Sequence, residues 1–248
     1  MEMDILYIVI PAYNEAENIE QVVKDWYPIV EKYHGGGKSR LMLINDGSKD
    51  NTYEIMLRLA KDRPLLHPLS KPQGGHGAAV LYGYNYALQR GADYIFQTDS
   101  DGQTLPEEFH QFWEQRGENS AVIGYRKHRQ DGISRIIVTK TLKLVLRMIF
   151  GLDIMDANTP FRLMGRNLLE KYIPYVPKDY NLANVMLTVL YLSYDEKVQF
   201  IPITFRPRQG GVNSINLCSI SKIGVKAIKD FRIMKKNINF NKKFLKIS

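Results

Sequence analysis

The chain has 248 residues, 44% of them hydrophobic and 24% charged, a composition that suits one folded domain and excludes a disordered chain. A single cysteine, Cys218, excludes a disulfide framework and any four-cysteine metal site. The net charge of +8 sits in residues 219–248, where nine lysines and arginines face one acid, Asp230, while 25 basic and 25 acidic groups balance elsewhere.

That cationic segment suits an anionic partner, either nucleic acid or a membrane surface. No apolar run reaches the roughly 18 residues of a membrane span, so no transmembrane helix is expected. The Met1-Glu-Met-Asp start has neither the basic nor the apolar part of a signal peptide, which sets the expectation of a cytoplasmic protein.

In chain order, Ile5 to Ile10 is an apolar run closed by Pro11 and reads as a buried strand. Asn14 is placed to cap a helix from about Glu15 to Tyr33, and Gly35-Gly36-Gly37 breaks the chain. Leu41 to Ile44 predicts a second strand, ending at Asn45-Asp46-Gly47, with Asp50 capping a helix to about Lys61. Leu65 to Leu69 predicts a third strand, Gly77 to Leu88 a helix, Tyr94 to Thr98 a fourth strand, and Ala121 to Gly124 a further one. Arg135 to Phe150 has helical spacing, with Lys140, Lys143 and Arg147 on one side and Ile136, Ile137, Leu144, Val145 and Met148 around the rest. Another helix is expected over Leu182 to Leu192, then an edge strand over Val198 to Phe205 because of Pro202. The alternation predicts an α/β fold with a twisted, mostly parallel sheet and helices on both faces.

Ligands in such sheets bind beyond the carboxyl ends of the strands. Three of those ends carry polar clusters: Pro11-Ala-Tyr-Asn-Glu15, Asn45-Asp-Gly-Ser-Lys-Asp50 and Asp99-Ser-Asp-Gly-Gln103. The first two also suit a turn feeding a helix cap. In the third, two carboxylates two residues apart repel each other unless a cation lies between them. Hard divalent ions take carboxylate oxygens together with substrate phosphates, so this cluster reads as a bridge between a metal and a diphosphate.

Taken in order, Ile10-Pro-Ala-Tyr-Asn-Glu15, Asn45-Asp-Gly-Ser, Gly75-His-Gly-Ala-Ala79 and Asp99-Ser-Asp-Gly-Gln103 resemble the family 2 glycosyltransferases of the GT-A fold. Gly124-Tyr-Arg126, Ser134-Arg135 with Thr139, and Asp156-Ala-Asn-Thr-Pro-Phe-Arg162 are similar to the dolichol- and polyprenyl-phosphate sugar transferases within that family. The resemblance covers about residues 4 to 215 and implies the following roles. Pro11, Tyr13, Glu15, Ile44, Asp46, Asp99 and Ser100 line the nucleotide-sugar site, and Asp99 and Asp101 engage Mg²⁺ or Mn²⁺, with Gln103 as a further oxygen ligand. Arg126, Arg135 and Thr139 meet the acceptor phosphate, and Arg208 lies on a loop that closes over the diphosphate, hinged at Gly210-Gly211.

Two departures bear on the reaction. The closing loop reads Arg208-Gln-Gly-Gly-Val-Asn-Ser214 and lacks the usual lysine, so Arg206, Arg208 or Ser214 takes that contact. Asp179 is the only acid before the helix near Leu182, where hydroxyl-acceptor relatives carry a general base. A phosphate acceptor is already an anion and needs no base, so a lipid phosphate is favoured. Asp156 is either a base or positioning residue, or an acid that only pairs with Arg162.

The expected reaction is an inverting, metal-dependent transfer from a nucleotide-sugar to a polyprenyl-phosphate-type acceptor. The alternatives are extension of a lipid-linked oligosaccharide at a sugar hydroxyl, and a non-catalytic nucleotide-sugar-binding recruiter. A glycosyltransferase domain is expected over 1–217 and a basic amphipathic segment over 218–248, peripheral on the cytoplasmic face of an anionic membrane. The neutral body offers no nucleic-acid motif, so no nucleic acid partner is expected. His76 reads as a surface turn residue.

Overall fold

The computed structural model describes residues 3–127, 133–207 and 227–239. Its first part runs β1 (Leu6–Ala12), α1 (Ile19–Lys32), β2 (Arg40–Asn45), α2 (Thr52–Ala60), β3 (Leu66–Ser70), α3 (His76–Gln89) and β4 (Tyr94–Gln97). The second part runs α4 (Phe109–Glu114), β5 (Ala121–Arg126), α5 (Ile133–Phe150), β6 (Arg162–Gly165), α6 (Arg166–Tyr172), α7 (Ala183–Ser193) and β7 (Val198–Ile203). Residues 227–239 form a last helix, α8.

The strands make one seven-stranded sheet in the order β3-β2-β1-β4-β6-β5-β7. All its pairings are parallel except those of β6, which runs antiparallel to both neighbours. This is the mostly parallel α/β arrangement expected, with β7 and its Pro202 at an edge.

The sheet divides the core in two, because neighbouring residues of a strand face opposite ways. Leu6, Ile8 and Ile10 of β1, with Leu41 and Leu43 of β2, pack toward α1, α2 and α4. Tyr7 and Val9, with Met42 and Ile44, pack toward α3, α6 and α7. α3 lies so close that a Cβ on Gly83 would stand 2.4 Å from Val9 Cγ1. Phe96 of β4 anchors the first layer, with Phe109 and Phe161 edge-on to it at 4.9 and 4.8 Å between ring centres.

Four local outcomes differ from the expectation. α1 begins at Ile19 rather than near Glu15, because Asn14 adopts φ 54° and the Glu15 carbonyl closes a turn onto the N–H groups of Asn18 and Ile19. Asn14 therefore caps nothing; its Oδ1 accepts from Lys49 N at 2.8 Å and ties the first loop to the second. β6 was hidden by its brevity and by Arg162, whose side chain is fully buried in the middle of the sheet. On α5, Leu144 and Met148 are 56% and 68% exposed, so they share the solvent side with Lys140, Lys143 and Arg147.

α8 belongs to the second core layer. Ala227, Phe231, Met234 and Ile238 recur at helical spacing and are buried, and Phe231 meets Phe150 of α5 with ring centres 6.0 Å apart. The proposed domain boundary at 217 lies outside the described residues, as do Arg208, Gly210-Gly211 and Cys218. Removing a buried phenylalanine ring costs about 3–5 kcal/mol. Phe231→Ala is thus expected to lower unfolding free energy by about 3 kcal/mol in a urea titration; an unchanged midpoint would show α8 to be undocked in solution.

Candidate active site

β1 lies between β2 and β4, and the chain leaves it in opposite directions, so the crevice of the sheet opens at their carboxyl ends. Register fixes what meets there. Pro11 stands opposite Ile44 and Ala12 opposite Asn45, and Asp46 N donates to Ala12 O at 3.0 Å. On the other side, Thr98 N donates to Val9 O, which sets Asp99 just beyond the end of β4. The sheet thus gathers Pro11, Tyr13, Glu15, Ile44, Asp46, Asp99, Ser100 and Asp101 at one edge.

The carboxylates there are held by defined partners. Glu15 is buried and accepts from Asn18 Nδ2 at 2.6 Å, while its own N–H donates to Thr52 Oγ1. Asp50 accepts from Ala16 N and from the N–H and hydroxyl of Thr52. Partial burial pushes the Asp50 carboxyl up, but those hydrogen bonds outweigh it and hold its pKa below the usual value. Asp46 is buried and accepts from Lys71 Nζ at 2.6 Å, Gly74 N at 2.9 Å and Gly75 N at 2.7 Å. It therefore shapes the 71–75 loop that leads into α3.

The loop after β4 is equally fixed. Asp101 Oδ1 accepts from Gln103 N, and the hydroxyls of Thr98 and Thr104 meet at 2.7 Å. Gln103 and Arg206 exchange two hydrogen bonds: Gln103 Nε2 donates to Arg206 O and Arg206 N donates to Gln103 O, each at 2.8 Å. Gln103 thus ties the exit of β7 to the Asp99–Asp101 loop, and only its Oε1 is available to a cation.

His76, expected to be a surface turn residue, starts a helix with its side chain about half exposed. It opens α3 at the same edge, and its Nε2 donates to Asp99 Oδ1 at 2.8 Å. Desolvation pulls the imidazole pKa down, but the charge of Asp99, the hydrogen bond to it, and the charges of Asp101 and Asp46 push harder, so the net shift is upward from 6.5. The signal in the sequence was its place between two glycines at the start of a helix beside β4. Gly77 is needed there because a Cβ would come within 2.1 Å of Tyr180 O.

β4 and β5 are parallel and separated by one strand, so their carboxyl ends open on the same edge about 10 Å apart. Arg126 ends β5. Its Nε and Nη2 donate to Asp156 Oδ2 and Oδ1 at 2.6 and 2.9 Å, with both side chains less than 10% exposed. Asp156 Oδ1 also accepts from Asn158 N. Asp156 consequently pairs with Arg126, not with Arg162. The Arg162 guanidinium instead donates to the carbonyls of Thr159, Ala157 and Asn184 and to Thr188 Oγ1. The face of the Phe205 ring lies 5.0 Å from the Arg126 guanidinium carbon. Thr139 lies on α5, and the Arg135 side chain falls outside the described part of that helix. Asp179 is exposed and lines a groove between α7 and α8.

A model of the family described as "Glycosyl transferase family 2" matches residues 7–173. The chain belongs to glycosyl transferase family 2. It is 27% identical over 220 residues to a polyprenol monophosphomannose synthase of Mycolicibacterium smegmatis, covering 84% of this chain and 80% of that protein. It is 24% identical over 196 residues to an undecaprenyl-phosphate 4-deoxy-4-formamido-L-arabinose transferase of Pectobacterium atrosepticum, covering 74% of this chain but only 58% of that one. Among solved structures, a glucosyl-3-phosphoglycerate synthase from Mycobacterium tuberculosis superposes with a TM-score of 0.67 at 17% identity, over 94% of this chain and 80% of that one. A second structure of that synthase, in complex with Mn²⁺ and uridine-diphosphate-glucose, gives 0.65 at 18% identity over 91% and 77%. These superpositions show the shared GT-A fold.

The family-2 site carries a pH signature. With its pKa raised by Asp99, His76 binds protons more tightly folded than unfolded. The stabilisation from their pairing is full below the unfolded histidine pKa and is lost as pH rises through the folded one. In cation-free protein the His76 NMR titration is expected to have its midpoint above 6.5, and Asp99→Asn should move it down. A midpoint at or below 6.5 would contradict the pairing.

Proposed function

We propose that this glycosyltransferase moves a sugar from a nucleotide-sugar to a polyprenyl-phosphate-type lipid acceptor, with inversion and with a divalent cation, Mg²⁺ or Mn²⁺, on the donor diphosphate. The observation that carries the acceptor class is the Arg126–Asp156 pair. Both oxygens of Asp156 are engaged, so this acid is a positioning residue rather than a base. What it positions is a partly desolvated guanidinium, a group matched to phosphate. An acceptor that arrives as an anion needs such a cation and no base. The names of the two relatives, both polyprenyl-phosphate sugar transferases, support the same class.

The donor side fits a hard cation. Asp99 and Asp101 offer carboxylate oxygens, and among the described residues no cluster of three or more histidine, cysteine or acidic side chains is placed to hold an ion by itself. That donor set suits an ion completed by substrate phosphates. The bound cation would neutralise charge on the leaving nucleoside diphosphate. The protein's own part is to place Pro11, Tyr13, Ile44 and Asp46 around the nucleotide, and to hold the acceptor phosphate at Arg126, with Thr139 and Arg135 on α5. Arg208 on the closing loop would add a positive charge at the diphosphate.

A lipid acceptor requires a bilayer-facing surface. No described helix is long and apolar enough to cross a membrane. α5 instead alternates exposed Leu144 and Met148 with Lys140, Lys143 and Arg147, and Met155 follows at 59% exposure. The exposed side of α8 bears Lys229, Arg232 and Lys236 beside Ile233. Each lysine or arginine near an anionic leaflet contributes on the order of 1 kcal/mol, and the apolar side chains add burial. This face is read as the site of peripheral, cytoplasmic-side attachment.

Asp101→Asn is expected to abolish turnover, by more than about 100-fold, while leaving the melting temperature within a few degrees; full activity in the variant or in chelator would overturn the cation role. Radiolabelled transfer to polyprenyl phosphate should exceed transfer to lipid-linked oligosaccharide, and the reverse preference would move the acceptor to a sugar hydroxyl. Leu144→Glu with Met148→Glu should reduce sedimentation with anionic vesicles and leave nucleotide binding unchanged. Undiminished sedimentation would remove α5 from the membrane face.

A further inference from the structure

His76 is pinned from several directions. The residue before it, Gly75, donates its N–H to Asp46 Oδ2 and adopts φ 88°, a conformation that favours glycine. A Cβ on Gly75 would stand 2.7 Å from Asn181 Oδ1, and one on Gly77 would stand 2.1 Å from Tyr180 O. The backbone of His76 is thereby fixed between the β2 loop and the segment before α7. Its ring remains 48% exposed, beside Asp99. A histidine with only a packing role would not keep half its side chain in solvent while directing its ring Nε2 at the Asp99 carboxylate.

We infer that His76 is a positioning residue of the donor site, which fixes the Asp99 carboxylate so that it takes up a divalent cation together with a nucleoside diphosphate. The inference rests on the reading of Asp99-Ser-Asp101 as the cation site. By donating to Oδ1, the imidazole sets the carboxylate plane and leaves Oδ2 as the oxygen offered to a ligand. It also supplies a hydrogen-bond donor at a place where Asp46, Asp99 and Asp101 would otherwise repel one another. Carboxylates that ligate metals are themselves hydrogen-bonded, and removing such a partner typically weakens metal affinity 10–100-fold.

The test is Mn²⁺ binding in the presence of uridine or guanosine diphosphate, read from the free-ion electron paramagnetic resonance signal. His76→Ala is expected to weaken binding by about tenfold. His76→Gln, which can still place an N–H near Asp99, should recover most of the loss. In kinetics the donor KM should rise while the acceptor KM stays unchanged. The melting temperature of each cation-free variant separates this effect from misfolding. If the unmodified protein binds Mn²⁺ with either diphosphate and His76→Ala binds it equally well, the inference fails while the cation site stands. Tighter binding by His76→Ala would show that the histidine competes for Asp99, which also overturns it. If the unmodified protein binds no Mn²⁺ with either diphosphate, the cation reading fails and takes this inference with it.

Discussion

Carboxylates crowd the open end of the sheet, and the site is built around the cost of that crowding. Asp46, Asp99 and Asp101 follow β2 and β4, with Glu15 after β1, because parallel strands in register deliver their termini to one edge. Like charges so close are unfavourable unless each finds a partner. The donors are local: two loop N–H groups and a lysine for Asp46, an amide side chain for Glu15, an imidazole for Asp99 and a backbone N–H for Asp101. The 71–75 loop, the start of α3 and the 98–104 turn all take their shapes from satisfying these acids. In the proposed reaction these same carboxylates would meet a divalent cation and a diphosphate.

The proposed acceptor side poses the opposite problem. There the fixed charge is a guanidinium, and a carboxylate is used to aim it. Arg126 and Asp156 are both largely out of solvent, so their attraction is stronger than at a surface, and the two-point contact sets the plane as well as the position of the arginine. A buried positive group with its direction fixed would meet the proposed acceptor anion without rearranging. In the proposed reaction the two ends are complementary: the acids after β4 would take a cation, and the guanidinium at the end of β5 would take a phosphate.

Most of the sheet was legible because its strands are short apolar runs that stop abruptly at polar residues, as at Ile44-Asn45-Asp46 and Thr98-Asp99. What escaped depends on long-range packing. β6 has four residues, starts with an arginine and runs against its neighbours, so neither length nor alternation marks it. Arg162 looked like a partner for Asp156 because buried acids attract arginines, yet its place on a central strand commits it to carbonyls around it. Asn14 looked like a helix cap, a role its residue type favours, but the same residue type also tolerates positive φ and here uses it. His76 was read alone; its meaning appears only when α3 brings it against a carboxylate 23 residues away in sequence.

The proposed bilayer face and the acceptor site are joined through one element. α5 starts shortly after Arg126 leaves β5, runs for 18 residues and ends at Phe150 against Phe231 of α8. At about 1.5 Å per residue such a helix is roughly 27 Å long. If it lies along a leaflet, its first turn is the part nearest in sequence to the arginine that would hold the acceptor phosphate, and its far end packs against α8. A phosphate anchored in the headgroup layer can then reach Arg126 without its lipid leaving the bilayer. The burial of Phe231 and Met234 beneath α8 gives that contact its rigidity. In the proposed attachment, α8 would act through its packed side as well as its charged one, because its contact with α5 would set the height of β5 above the membrane.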